Sequence, residues 1–180
     1  MVLILSGPVH GGKTTFLEQC LPLWARRGLA CEGFLSPAIA EGNGDKGYDL
    51  VEIGTGRRWP YLRRQREAGP EERIGPYSFV SATLERARSI IRGAGPSGLL
   101  IVDEIGPLEL RGGGLWPALR EALRRPGGTV LLVAREEVLA ELAAALAPLV
   151  PVVFDVRDPE DRKLLVERLP AGDNPDDGQS

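Results

Sequence analysis

The sequence predicts an α/β fold whose mostly parallel sheet carries helices on both faces, in three layers. Apolar or nearly apolar runs, which are typical of strands buried on both faces, occur at residues 2–5, 99–102 and 129–134. Between them lie longer segments in which apolar residues repeat at helical spacing. Because strands that alternate with helices usually lie parallel in one sheet, this order indicates the α/β class.

The remaining elements follow from the same patterns. Helices are predicted within residues 15–27, 79–92, 115–125, 136–146 and 159–169, and further strands at residues 29–36 and 150–156. Residues 38–46 contain a turn cluster, and residues 47–53 alternate apolar and polar side chains. Since residues 57–59 can pair back on that strand, we expect an antiparallel β-meander inserted between the parallel units.

The composition indicates one globular domain. The chain has 180 residues, of which 43% are hydrophobic, and its net charge is −3. This length allows a sizeable core, and a mildly acidic chain is not typical of nucleic-acid-binding proteins. Cys20 and Cys31 lack metal-ligand spacing, and no apolar run reaches membrane-spanning length. We expect a single cytoplasmic domain at residues 1–169 without membrane or nucleic-acid contacts, and a disordered tail at residues 170–180. No protein partner is indicated.

A phosphate-binding loop joins the first strand to the first helix. Residues 7–14 fit the pattern Gly, four residues, Gly-Lys-Thr, between an apolar strand and an amphipathic helix. Glycines let successive backbone N–H groups point at one anion, and the helix N-terminus adds positive charge. The residues predicted to bind the nucleotide are Gly7, Pro8, Val9, His10, Gly11, Gly12, Lys13, Thr14 and Thr15.

Two side chains of this loop have specific predicted roles. Lys13 would reach the β- and γ-phosphates of a nucleoside triphosphate such as ATP or GTP, and the Thr14 hydroxyl would hold Mg²⁺. His10 is the one histidine of the chain. We interpret it as a loop side chain near phosphate oxygens or solvent, not as a catalytic group.

The apolar strand at residues 99–102 ends in Asp103 and Glu104. An aspartate at this place positions Mg²⁺ in phosphate-loop proteins, and the two motifs then meet at one edge of the sheet. Neighbouring side chains diverge at a strand end, so Glu104 is predicted to activate water as the catalytic base. The alternative is that Glu104 is a supporting residue or an ion-pair partner. Glu109 is a weaker candidate for a polar role in the site.

An Asp-Glu pair also predicts that residues 129–134 form a strand between the loop strand and the metal strand. Arg135 would then lie beside the γ-phosphate and act as an arginine finger within the chain. The alternative is that Arg135 pairs with Glu136 or Glu137 or is solvated. The arginines between residues 57 and 73 also leave two interpretations open, namely a solvated segment or a mobile cover over a polyphosphate.

The sequence resembles the small P-loop nucleoside-triphosphatase family, which includes thermophile-type and cancer-related nucleoside-triphosphatases. The similarity lies at residues 7–15, 33–35, 47–49, 74–77 and, most specifically, 102–110. It implies Mg²⁺-dependent hydrolysis of ATP, GTP and other nucleoside triphosphates, with roles for Lys13, Thr14, Asp103 and Glu104 like those above. The chain departs from the family pattern at Val9 and His10, where Pro-Gly is common, and at residues 157–162.

Three functions are compatible with these motifs. The first is hydrolysis of nucleoside triphosphates, which the presence of Glu104 favours. The second is a nucleotide or small-molecule kinase, which arginines facing the γ-phosphate would favour. The third is a nucleotide-gated binding module with little turnover of its own.

Overall fold

The computed structural model describes residues 1–40, 46–64 and 73–169. The strands are β1 Val2–Gly7, β2 Cys31–Leu35, β3 Ala38–Ala40, β4 Lys46–Glu52, β5 Arg58–Arg63, β6 Arg73–Ile74, β7 Tyr77–Phe79, β8 Leu99–Ile105, β9 Thr129–Arg135 and β10 Val152–Asp155. The helices are α1 Lys13–Arg26, α2 Ser81–Gly93, α3 Pro107–Leu110, α4 Trp116–Leu123, α5 Leu139–Ala145 and α6 Pro159–Arg168. A 3₁₀ turn at Glu136–Val138 precedes α5.

The strands form one sheet in the order β10-β1-β9-β8-β2-β4-β5-β7-β6, with β3 paired to β4. The first five strands of this order are parallel. The strands that follow are antiparallel. The predicted β-meander, formed by β4 and β5, extends the parallel sheet at one side, and a hairpin of β7 and β6 that was not predicted continues it. β9 lies between β1 and β8, which confirms the prediction of an inserted strand.

Helices cover both faces of the sheet, which confirms the predicted three-layer α/β class. Successive residues of a strand point to opposite faces, and in β1 Leu3 and Leu5 pack in a cluster with α1 and α6. Ile4 belongs to the cluster on the opposite face, with α2, α4 and α5. Both clusters are built around fully buried side chains of the parallel strands, so these strands form a rigid support for the loops at their ends.

Three short segments differ from the predicted elements. Ala38–Ala40, predicted as part of a turn, forms β3 and pairs with β4. Pro107–Leu110, where no helix is predicted, forms α3 with proline in its first turn, where a missing N–H costs nothing. The predicted helix at residues 136–146 is divided into the 3₁₀ turn and α5. Segments of three or four residues carry too little periodicity for a sequence pattern to reveal them.

Other predictions concern the tail, the membrane and the cysteines. Residues 170–180 and the middle of the arginine-rich segment, residues 65–72, lie outside the described residues. Within the described ranges, no helix is both long and apolar enough to cross a membrane. Cys20 is buried and Cys31 half-buried, and both are free thiols. Burial raises the pKa of Cys20 to about 12 and that of Cys31 to about 11, so neither is a ready nucleophile.

Candidate active site

The phosphate loop, the Asp-Glu pair and Arg135 meet at the carboxyl edge of the parallel strands. The loop follows β1, Asp103 and Glu104 lie near the end of β8, and Arg135 ends β9. A cavity of about 370 Å³ at this edge is lined by the phosphate loop, Ser36, Tyr48 and the Asp-Glu pair. A smaller cavity beside it is lined by Glu104, Arg135 and the lysine of the loop. The structure therefore brings the predicted site residues together.

The phosphate loop has the curled backbone that anion binding requires. His10 has a φ of 59° and Gly12 a φ of 80°, and the Gly11 N–H donates to the Pro8 carbonyl at 3.0 Å. A side chain at Gly12 would contact nothing, so the positive φ and not a lack of space favours glycine there. His10 is exposed, in keeping with a loop side chain. The loop residues that line the larger cavity are Val9, His10, Gly11, Gly12, Lys13, Thr14 and Thr15.

The Lys13 ammonium is held inside the loop that it belongs to. Its Nζ donates to the carbonyl oxygens of Gly7 at 2.9 Å and of Pro8 at 2.7 Å. Burial lowers the pKa of Lys13, while the carboxylates of Glu104 and Asp103 oppose that shift. An ammonium group has three N–H donors, so one remains for a phosphate oxygen.

Asp103 connects the phosphate loop to β2. It is 0% exposed, and its Oδ2 accepts the Thr14 hydroxyl at 2.8 Å and the Ser36 N–H at 2.8 Å. Its Oδ1 is buried and has no hydrogen-bond partner among the described residues. Burial raises the pKa of Asp103 to about 6, against the opposing effect of the Ser36 and Thr14 hydrogen bonds. An unpartnered carboxylate oxygen beside a hydroxyl is the kind of oxygen donor set that Mg²⁺ prefers.

Glu104 points away from its neighbour and towards the cleft. Its backbone has a left-handed φ of 68°, and the pairing of β8 with β9 shifts between Val102 and Ile105. Such a conformation is uncommon for a residue other than glycine and occurs often at functional sites. The Glu104 side chain is 27% exposed, and its Oε1 lies 3.8 Å from a guanidinium nitrogen of Arg135. Burial raises the pKa of Glu104, while Arg135 and Lys13 lower it.

Arg135 therefore faces the cleft. Glu136 and Glu137 were its predicted alternative partners. Arg135 instead pairs with Glu104, and Glu136 contacts Arg157 at 2.9 Å. Arg135 is 37% exposed, so it remains accessible to a ligand in the cleft. The arginine-finger interpretation stays a prediction that this position supports.

Ser36 and Tyr48 line the cleft, although the motifs did not single them out. Ser36 directly follows β2 and contacts Asp103 through its backbone N–H. Tyr48 packs edge-on against Tyr77, with ring centroids 5.5 Å apart, and it also lines the cavity beside the phosphate loop. The sequence offered one signal for each of them. Ser36 ends a predicted strand, and Tyr48 belongs to the meander predicted to be inserted between the parallel units.

Two arginines of the 57–73 segment are occupied elsewhere. Arg63 contacts the Asp49 carboxylate at 2.5 Å and donates to the Tyr48 carbonyl at 2.6 Å, and Arg58 lies 3.7 Å from Asp49. These contacts join β4 and β5, and neither arginine lines the cavity beside the phosphate loop. Whether the segment covers the site stays a prediction, since residues 65–72 lie outside the described ranges.

Glu109 is buried behind the site, where its carboxylate binds backbone N–H groups. It is 0% exposed, its Oε2 accepts the Gly106 N–H at 3.0 Å, and its Oε1 accepts the Leu115 N–H at 3.2 Å. A side chain at Gly114 would come within 2.0 Å of this carboxylate. Glu109 thus closes the loop that follows Glu104, and does not itself line the cleft in the described part of the chain.

Burial raises the pKa of Glu109 to about 7 from an ordinary value of 4.5, which predicts a pH-dependent stability. Between these values the folded state keeps a proton that the unfolded state releases, so the free energy of unfolding falls as pH rises. The full difference is on the order of 3 kcal/mol. Glu109→Gln, which cannot ionise, is expected to flatten this decline in urea unfolding at pH 4.5 to 7.5. Glu141→Gln, at an exposed position, is the matched control. If Glu109→Gln left the slope of the unfolding free energy against pH unchanged, the raised pKa would not belong to Glu109.

A phosphate loop between a strand and a helix, with an Asp-Glu pair on a neighbouring parallel strand, defines an α/β protein of the P-loop class. The chain belongs to the NTPase family, whose model matches residues 2–169. The resemblance inferred from the sequence is thereby confirmed, and the class of enzyme is nucleoside-triphosphatase.

Relatives and solved structures agree with this family. The cancer-related nucleoside-triphosphatase homolog of Bos taurus is 31% identical over 138 residues, covering 72% of each chain. The nucleoside-triphosphatase THEP1 of Methanopyrus kandleri is 34% identical over 121 residues, covering 67% of this chain and 66% of the relative. The human cancer-related nucleoside triphosphatase structure is similar with a TM-score of 0.69 at 27% identity, covering 92% of this chain and 94% of that chain. THEP1 from Aquifex aeolicus, at 21% identity and a TM-score of 0.70 over 93% of this chain and 96% of that chain, shows the fold alone.

Proposed function

We propose that the protein hydrolyses the β–γ phosphoanhydride of ATP, GTP and other nucleoside triphosphates in the presence of Mg²⁺, with Glu104 activating the attacking water. One observation carries this proposal: Glu104 and the Lys13 ammonium line the same cavities, while Asp103 beside them bonds Thr14. Phosphate-binding groups and a candidate water-activating base thus line one cleft.

The phosphate loop supplies binding and part of the charge stabilisation. Its backbone N–H groups and the N-terminus of α1 would receive the phosphate oxygens, and the remaining Lys13 donor would contact the β- and γ-phosphates. Lys13 is fixed by the two loop carbonyls, so little side-chain entropy is lost when the nucleotide binds.

Thr14 and Asp103 would hold Mg²⁺. The fit rests on their shared hydrogen bond at 2.8 Å and on the buried Asp103 Oδ1, which has no partner within the described residues. Mg²⁺ would neutralise charge on the β- and γ-phosphate oxygens.

Glu104 is the best-placed base. Its carboxylate can accept a proton from water, and burial keeps its pKa above the ordinary value, which makes it a stronger proton acceptor. Its left-handed backbone aims the side chain into the cleft while Asp103 stays buried. In this role the proton moves from water to Glu104 as the water oxygen attacks the γ-phosphorus and the nucleoside diphosphate leaves.

The kinase alternative has less support. It required arginines between residues 57 and 73 to face the γ-phosphate, and Arg58 and Arg63 contact Asp49 instead. Phosphate release from four nucleoside triphosphates, with and without candidate acceptors, separates the functions. Release that depends on an acceptor would favour the kinase, and binding without appreciable release would favour a nucleotide-gated module.

Lys13→Ala is expected to weaken binding of a non-hydrolysable nucleoside triphosphate by about 10–100-fold, because a hydrogen bond between charged groups is lost. Isothermal titration calorimetry with Mg²⁺ measures the effect. Lys163→Ala, at an exposed position of α6, is the matched control. Equal affinity of Lys13→Ala and the wild type would remove the phosphate-loop assignment.

A further inference from the structure

Ser36 lies where β2 ends, next to the strand that carries Asp103. β2 pairs parallel with β8, and the Ser36 N–H donates to Asp103 Oδ2 at 2.8 Å. The same oxygen accepts the Thr14 hydroxyl at 2.8 Å. Ser36 is thus fixed by its backbone beside the two residues proposed to hold Mg²⁺, although it belongs to neither motif.

Two oxygen atoms at this place have no hydrogen-bond partner among the described residues. They are the Ser36 hydroxyl and Asp103 Oδ1, and both are buried, with Ser36 2% exposed. An unsatisfied buried polar group costs about 1–3 kcal/mol, so such groups are rare and call for an explanation. Because both residues line the cavity beside the phosphate loop, a ligand in that cavity can supply the missing contacts.

Burial of an unpartnered hydroxyl does not by itself set Ser36 apart. Ser78 and Ser6 also have buried hydroxyls without a partner in the described ranges. Ser78 lies in β7, and neither residue lines the cavity that holds Thr14 and Asp103. Ser36 alone of the three combines an unsatisfied hydroxyl with a place in that cavity and a direct contact to the Asp103 carboxylate.

We propose that the Ser36 hydroxyl helps to hold the Mg²⁺ of the metal–nucleotide complex, by hydrogen bonding to its hydration shell. This inference rests on the proposed function, since it assumes that Thr14 and Asp103 hold Mg²⁺. Mg²⁺ gives up its water reluctantly and is usually bound through few protein ligands, so groups that contact its waters contribute to affinity. Loss of such a contact typically weakens metal binding 10–100-fold.

The test measures binding of Mn²⁺ as a probe for Mg²⁺, from the electron paramagnetic resonance signal of free Mn²⁺ in the presence of protein and a non-hydrolysable nucleoside triphosphate. Ser36→Ala is expected to bind Mn²⁺ about 10-fold more weakly than the wild type. Ser36→Cys nearly keeps the side-chain volume but offers only a weak hydrogen-bond acceptor, so it is also expected to bind Mn²⁺ more weakly. Ser36→Thr retains the hydroxyl and is expected to stay close to the wild type.

Two further variants make the outcomes distinct. Ser78→Ala removes an equally buried, unpartnered hydroxyl outside the cavity and should leave Mn²⁺ binding unchanged. Asp103→Asn should weaken it strongly. If Asp103→Asn weakens binding while Ser36→Ala and Ser36→Cys do not, the Ser36 inference is overturned and the proposed function stands. If Asp103→Asn is also without effect, the metal site of the proposed function fails together with the inference.

Discussion

Glu104→Gln is expected to bind nucleoside triphosphates as the wild type does and to lower kcat by about 10²–10⁴-fold. Glutamine keeps the size of the side chain and a hydrogen-bonding oxygen, so the attacking water can still be bound. It cannot accept the proton that this water must lose, and the chemical step therefore slows while substrate affinity remains. Single-turnover phosphate release gives the rate of that step, and calorimetry gives the affinity.

The control for this substitution is Glu121→Gln. Glu121 is an exposed partner of Arg92 on the outer surface of the helices, so the same chemical change there should leave kcat unaltered. If Glu104→Gln turned over at the wild-type rate, the base would have to be another group. A large loss of affinity with an unchanged chemical step would instead make Glu104 a binding residue.

The main parts of the candidate site could be predicted because each is a local pattern. The phosphate loop is one continuous stretch, and Asp103 and Glu104 follow one apolar run. Their convergence follows from a rule of parallel sheets, since the carboxyl ends of the strands share one edge. The inserted position of β9 followed from the Asp-Glu pair, and the structure confirms it.

Other site features depend on contacts that no local pattern encodes. Ser36 reaches the site because β2 pairs with β8, and Tyr48 reaches it because the meander extends the sheet next to β2. Pairing between separate strands, and not a local sequence pattern, decides both positions. The sequence indicated only a polar role for Glu109 in the site. Its burial becomes understandable when the Gly106 and Leu115 N–H groups are seen around its carboxylate.

Arg135→Ala is expected to lower kcat by about 10³-fold with a smaller effect on substrate affinity, if Arg135 acts as an arginine finger. Its guanidinium lies 3.8 Å from the Glu104 carboxylate, and the Arg135 side chain is 37% exposed. The guanidinium can therefore turn from this carboxylate to the γ-phosphate. Arg135→Lys should recover little, because lysine offers a point charge and no planar pair of donors. Arg157→Ala, which removes an exposed arginine that contacts Glu136, serves as the control.

A double substitution separates this role from mere orientation of Glu104. An arginine that stabilises charge on the phosphate acts on a part of the transition state that Glu104 does not touch. Glu104→Gln combined with Arg135→Ala should therefore be slower than either single variant. If Arg135 only orients Glu104, then once the base is lost the second substitution should cost nothing further, and the double variant would match Glu104→Gln. Single-turnover rates of the wild type, the two single variants and the double variant decide between these results.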